Sequence, residues 1–370
     1  MHLHRSVAIT GWGVISPIGI GRDDFTDAIR TGKSGFSSVG RQANGGAVFQ
    51  GPAAVIPTFD AVKCLGAKGT RSMDRTTGMA VATVGMALAH SGVDVGVDRA
   101  RIGIALGTST GSIRSISEFT RDTLLHERPY LVNPALFPNT VMNCAAGQCA
   151  IWYGLKGVNA TLSAGHLSGL LALRYASLTL RRGYADVLVT GCVEEFCEES
   201  AWAWHHLANR SRPIGEGCTM LVVEKAERAR QNGRQVLAEV LACESGIYAG
   251  SAGGAHGCVE SFVASIRRAL AHAEIEADAI DAISVSSRGA AALDTLECEA
   301  IGRALGNGRP RRRIAVAEHV GDTFSASAGF QLAAALSLFE IDPTYVRHAL
   351  ITCVGEHGTV GCAIVRNGAA

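Results

Sequence analysis

Apolar runs bounded by glycine alternate along the chain with stretches whose apolar residues recur at helical spacing. Ser6 to Gly11 predicts a buried strand, followed by a Gly/Pro turn through Pro17. Asp23 or Asp24 is placed to cap a helix that runs to Arg30 and stops at Gly32. Arg75 to Ser91 predicts a helix closed by Gly92. Arg101 to Gly107 predicts a second buried strand, with Thr108 to Ser112 as the loop after it. Asn143 to Leu155 predicts a further helix. Val158 to Ser163 then predicts a short strand, Leu167 to Arg182 an apolar helix, and Asp186 to Gly191 the returning strand. Arg181 and Arg182 suit the negative end of that helix, and Gly183 its stop. His166 therefore falls at a strand-to-helix corner inside a βαβ unit.

The second half repeats this grammar. Strands are predicted over Met220 to Glu224, Gln235 to Cys243, Ala282 to Ser287, Ile314 to Glu318, Leu350 to Val354 and Cys362 to Arg366. Helices are predicted between them: a basic one ending at Gly233, then Glu260 to Glu274, Glu297 to Gly306 and Ser327 to Glu340. The pattern is that of an α/β protein built from two pseudo-duplicated βα halves, 1–230 and 231–370, with a break near residues 225–240.

Composition narrows the function. A net charge of +1 leaves no electrostatic footprint for nucleic acid. The short basic run Arg309-Pro-Arg-Arg-Arg313 reads as a solvated loop. No apolar segment approaches the ~20 residues that span a bilayer, and the N-terminus has no secretory pattern, so a cytoplasmic protein without membrane contact is expected. The 11 cysteines are an odd number. Cys144/Cys149 and Cys192/Cys197 fit no zinc spacing, so reduced thiols and no metal are expected.

Several segments, in order, carry a resemblance. They are VAITGWGVISPIG with TGKSG, NPALFPNTVMNCAAGQCAIWYGLKGVNATL, RRGYADVLVTGCVEE, and IGEGCTMLVVEKAERARQNGRQVLAEV. Through them nearly the whole chain resembles the β-ketoacyl synthases of the thiolase superfamily. The resemblance implies the thiolase-like fold, a layered α-β-α-β-α arrangement. It implies condensation of acyl chains with malonyl units on carrier proteins, by a cysteine nucleophile at a helix N-terminus and two histidines, with no cofactor.

Against that pattern the reacting groups are replaced. Ser168-Gly169 puts His166 at or within one residue of the nucleophile position, and no cysteine occurs between Cys149 and Cys192. The family's His-Gly-Thr-Gly-Thr loop reads Ser287-Arg288-Gly289-Ala290-Ala291, with Arg288 for the histidine, although Asp294-Thr-Leu-Glu297 survives after it. The second histidine falls on Asp322 or Thr323, and the family's lysine on Ala317 or Glu318. The C-terminal gate reads Gly355-Glu-His-Gly-Thr-Val360, with Glu356 for its phenylalanine.

Two readings of His166 follow. A neutral imidazole at a helix N-terminus is able to attack a thioester, but without helper histidines. The alternative is a buried histidine sealing a dead pocket, with an Arg288–Asp322 or Arg288–Glu318 ion pair filling the rest. Trp202, Trp204, His205 and His206 crowd one segment, read as a surface or interface helix whose adjacent histidines make a poor metal pair. His357, in the altered gate, is placed to contact Glu356.

Loss of the nucleophile with retention of the scaffold resembles the chain-length factor, or β subunit, of type II polyketide synthases. That implies a heterodimer with a catalytic ketosynthase α subunit. Acyl carrier protein would be engaged mainly through that partner. The resemblance places Leu136, Phe137, Thr140 and Val141 in the wall of the partner's chain-elongation tunnel. Alternatives are a starter-unit decarboxylase, an active synthase using His166, and a non-enzymatic homodimeric binding protein.

Overall fold

The computed structural model describes residues 6–40, 49–125, 127–207, 212–249, 254–306 and 312–369. β1 (Val7–Ser16) is buried throughout. β2 (Gly19–Ile20) folds back on its end. α1 (Arg22–Thr31) follows; Gly21 is its N-cap residue, and Asp23 and Asp24 lie inside the first turn. There they face the positive end of the helix rather than capping it. β3 (Phe36–Gly40) pairs with β4 (Gln50–Ala54), and a short α2 (Ala61–Leu65) leads to α3 (Arg75–Ser91). The side chain of Asp74 caps α3 by accepting Thr77 N–H at 2.8 Å.

β5 (Ile102–Gly107) and α4 (Ile113–Leu125) come next. After a 3₁₀ turn at Pro134–Thr140 the chain forms α5 (Cys144–Tyr153), β6 (Asn159–Leu162), α6 (Ser168–Arg181) and β7 (Val187–Glu194). α7 (Glu198–Leu207), β8 (Gly217–Lys225) and α8 (Ala226–Gln231) follow. The rest is β9 (Ala238–Ile247), α9 (Gly254–Ala273), β10 (Ala282–Ser284) and α10 (Ala291–Leu305). It ends with β11 (Arg312–Ile314), α11 (Ala317–Val320), α12 (Ser327–Ile341), β12 (His348–Val354) and β13 (Thr359–Asn367).

The main sheet runs β11-β10-β12-β13-β9-β1-β8-β7-β5-β6. Each half has the same plan. β5 pairs parallel with β6 and β7, β7 antiparallel with β8, and β8 antiparallel with β1. β10, β11, β12, β13 and β9 repeat these relationships one for one. The halves join where Val7–Ile9 of β1 pairs with Ala238–Val240 of β9.

α6 and α12 pack against strands of both halves and against each other, so they form the middle layer. α3 and α5 cover the outer face of one half, α9 and α10 that of the other. The layers are therefore α-β-α-β-α. α12 is buried on all sides, as a helix between two sheets must be. Its apolar stretch Phe324–Ile341 is the one helix among the described residues long and apolar enough to cross a membrane, and 83% of it is buried as core.

Several predicted elements change, and α9 and α10 each begin six residues before their predicted starts at Glu260 and Glu297. The strand predicted over 314–318 is Arg312–Ile314, and Ala317–Val320 turns helical. That turn carries the chain back toward the middle layer in time to bring Asp322 inside. Arg312 and Arg313 thus belong to an edge strand rather than a loop, while Arg309, Pro310 and Arg311 lie outside the described residues. β10 ends at Ser284, three residues before the predicted end, because Ser286 and Ser287 give their N–H groups to Glu297 instead of a neighbouring strand.

Candidate functional site

His166 stands where β6 gives way to α6. The corner is closed by Leu167 N–H donating to Ala164 O at 3.2 Å and Ser168 N–H donating to Gly165 O at 3.1 Å. Gly165 takes φ 56°, which a residue without Cβ adopts at no steric cost. Behind the corner, a Cβ on Gly169 would lie 2.7 Å from Ser325 O and 2.8 Å from Cys192 Sγ. The Ser168-Gly169 pair is thus dictated by close packing of α6 between β7 and the turn before α12.

The imidazole is 3% exposed, and its Nε2 lies 2.9 Å from Asp322 Oδ1. Asp322 Oδ2 accepts Arg288 Nη2–H at 3.3 Å. The same nitrogen donates to Glu356 Oε1 at 3.0 Å, and Arg288 Nη1 donates to Val354 O at 3.2 Å. Phe324 N–H adds a bond to Asp322 Oδ1 at 3.2 Å. Arg288 and Asp322 are each 2% exposed, so the pair is sealed from water. The space between α6, the Arg288 loop and the turn at Asp322 is filled by these side chains. Glu318, the alternative partner for Arg288, is exposed and turns toward Ser287 Oγ at 3.5 Å. Thr323, the alternative to Asp322, turns away to lie 3.2 Å from Ser327 Oγ.

The surviving Asp294-x-x-Glu297 pattern holds the loop that carries Arg288. Asp294 accepts the N–H groups of Arg288 and Gly289 at 2.8 and 3.0 Å. Glu297 accepts those of Ser286 and Ser287 at 2.9 and 3.3 Å, and Thr352 Oγ1 at 2.6 Å. Burial pushes the Glu297 carboxyl above its usual range, against these bonds.

Backbone strain gathers at the same place. Ser287, Phe324 and His357 hold positive φ values of 46°, 46° and 54°. Each lies within two residues of Arg288, Asp322 or Glu356. Such conformations cost about 1–3 kcal/mol apiece, and they cluster where a site over-determines the backbone.

Electrostatics make His166 a neutral donor. Burial lowers its pKa, Asp322 pulls the other way, and the Arg288 cation lowers it again. The α6 N-terminus also disfavours imidazolium. Burial alone would raise the Asp322 carboxyl, but His166 and Arg288 hold it well below the carboxylate range. The pair therefore rests as Asp322 carboxylate accepting Nε2–H. No thiolate stands close by. The Cys353 thiol donates to His166 O at 3.1 Å and is pushed up to about 12 by burial. Such a thiol stays protonated at neutral pH.

Two aromatic residues complete the wall: Phe324, which the sequence did not single out, and Trp204, expected on a surface or interface helix but turned inward. The Phe324 ring lies 5.3 Å from the His166 ring, and Trp204 of α7 meets Phe324 edge-on at 4.9 Å. α7 is thus half lid and half surface. Trp202 stacks on His206 at 4.5 Å on its exposed side. The adjacent rings of His205 and His206 lie 5.3 Å apart rather than on separate faces. The Trp-x-Trp spacing is the signal that one indole points in while the other points out. Leu136, Phe137, Thr140 and Val141 stand elsewhere, in and just after the 3₁₀ turn beside α4. Phe137 is 55% exposed and rests on Phe119 of α4 at 5.8 Å.

Comparison with known proteins agrees with this layout. The β-ketoacyl synthase N-terminal domain model matches residues 4–229, and the C-terminal domain model matches residues 237–342. The chain belongs to the β-ketoacyl synthase family. Its fold is that of a chain of the ishigamide ketosynthase/chain length factor, with TM-score 0.86, 33% identity, and 98% of this chain and 99% of that one covered. It is 30% identical to the granaticin polyketide putative beta-ketoacyl synthase 1 of Streptomyces violaceoruber, over 82% of this chain and 78% of that protein. It is 28% identical to 3-oxoacyl-[acyl-carrier-protein] synthase 2 of Coxiella burnetii, over the same shares.

Proposed function

We propose that this chain is a non-condensing, ketosynthase-like subunit of a type II polyketide synthase. It pairs with a cysteine-bearing ketosynthase and shapes the tunnel in which the chain grows. The observation that carries the reading is the buried His166–Asp322–Arg288 cluster, capped on its solvent side by the half-exposed Glu356. A neutral histidine occupies the nucleophile's corner, and an ion pair fills the space where two histidines would stabilise an enolate. The likeness to a ketosynthase/chain length factor supports the assignment of subunit type.

The partner surface is argued from exposure. β6 is the last strand of the sheet, and among the described residues no strand pairs with its outer edge. Beside it in sequence, Leu136, Phe137, Val141, Met142 and Ile151 are exposed at 38%, 55%, 43%, 42% and 75%. An obligate interface of this family type should bury more than ~2,000 Å². The division into halves at about residue 230 belongs to the same reading, supported by the strand-for-strand repeat.

Co-expression with a cysteine-bearing ketosynthase, followed by native mass measurement, tests it. A stable one-to-one heterodimer is expected, and the chain alone is expected to take no acyl group from a thioester donor by intact mass. A homodimer that ignores the partner, or an acyl adduct on His166, would overturn it.

A further inference from the structure

Outside that cluster, β7 delivers two adjacent buried carboxyls, Glu194 and Glu195. Glu194 accepts the Ser109 N–H and the Ser325 hydroxyl, tying the loop after β5 to the turn after Asp322. Glu195 reaches a different element. Its Oε1 accepts Ser112 Oγ at 2.7 Å and Arg114 N–H at 3.2 Å. Ser112 Oγ accepts Ser115 N–H at 3.1 Å, and Ser115 Oγ donates to Asp74 Oδ2 at 3.1 Å. These bonds together fix the first turn of α4.

α4 depends on that anchor. None of its residues is buried, and Leu124 and Leu125 are 79% and 72% exposed. A helix of this length with only a half-buried face gains modestly from packing, so the end that is tied down does much to set its orientation. The Phe119 ring on α4 is what supports Phe137.

We propose that Glu195 is a positioning residue, which fixes the first turn of α4 and, through Phe119, sets where Phe137 stands. The second step rests on the reading of Phe137 as tunnel wall. The Glu195 Oε2 and Thr76 Oγ1 atoms are both buried without another hydrogen-bond partner, and Thr76 faces this carboxyl. A hydrogen shared between them satisfies both atoms. Burial raises the Glu195 carboxyl above its usual range, the Ser112, Arg114 and Thr76 bonds oppose that, and Asp74 adds to it. The other charged groups around it are Glu194 and Arg75, and Arg75 is committed to Glu216 at 2.6 Å. Glutamine keeps the anchor, since its carbonyl accepts from Ser112 and Arg114 and its amide donates to Thr76.

Hydrogen exchange across residues 113–125 tests the anchor, and product length tests the step beyond it, both in the complex with the ketosynthase. Glu195→Ala is expected to speed exchange in α4 about tenfold or more and to broaden the product lengths. Glu195→Gln is expected to match the unsubstituted protein in both. Ser112→Ala, which keeps the carboxyl and removes one bond, carries the test should Glu195→Ala fail to fold. Unchanged exchange in both alanine variants, or a glutamine variant that behaves like alanine, overturns the anchor. Faster exchange with unaltered product lengths overturns the step through Phe137 and the tunnel reading with it.

Discussion

His166 Nε2 and Asp322 Oδ1 meet at 2.9 Å although 156 residues separate them in sequence. One comes from the first half of the chain and one from the second. Their contact, with Arg288 on the other oxygen of the carboxylate, ties the two halves together through a buried ion pair whose contribution to stability is measurable.

Arg288→Met should destabilise the protein by about 3–5 kcal/mol, because it leaves the Asp322 carboxylate buried without its cation. Adding Asp322→Asn should recover a large part of that loss, since the uncompensated charge goes with it. Urea unfolding of the two single variants and the double variant checks this. Additive losses would mean that the two side chains do not share an ion pair.

Glu194 gives a pH signature. Burial raises its pKa from 4.5 to about 7, against hydrogen bonds from Ser325 and Ser109, with Glu195 raising it further. Between those values the folded protein holds a proton that the unfolded chain has released. Stability from this group is therefore full below pH 4.5 and is lost as pH rises through 7, by roughly 3 kcal/mol. Glu194→Gln should flatten that slope and gain on the unsubstituted protein at pH 8 relative to pH 5. Denaturant midpoints across pH 5–8 are the measurement; an unchanged slope would exclude Glu194 as its source.

Phe137→Ala should lengthen the product made by the reconstituted pair while changing the stability of the isolated chain by less than about 1 kcal/mol. Its side chain is largely exposed in that chain, so little core is lost. Mass analysis of the products decides it. Unchanged chain lengths would reduce this segment to interface packing.

Much of the scaffold was legible because it is written in periodicity. β5, α6 and β7 follow from apolar runs and glycine stops, and the corner at His166 follows from their order. The site's closure was legible only as alternatives. Arg288 had Asp322 or Glu318 to pair with, and pattern alone cannot say which carboxylate lies inside. That choice depends on α11, a four-residue helix too short to leave a periodic signal. The aromatic wall from Trp204 and Phe324 was hidden for a similar reason. Phe324 reaches the imidazole through a positive φ, a backbone state that its residue type does not advertise. α4 went unread because its apolar residues are few: Ile113, Ile116 and Phe119 are only half-buried, and Leu124 and Leu125 face outward.

The crowding behind the corner has a consequence for how such a chain can be altered. At Gly169 even a methyl group would collide with Ser325 O and Cys192 Sγ, whereas a side chain at Gly165 would meet open space and only the strain of a left-handed backbone. His166 itself points into a space bounded by other side chains. At this corner the packing constraint falls on the small residue behind the imidazole rather than on the imidazole itself.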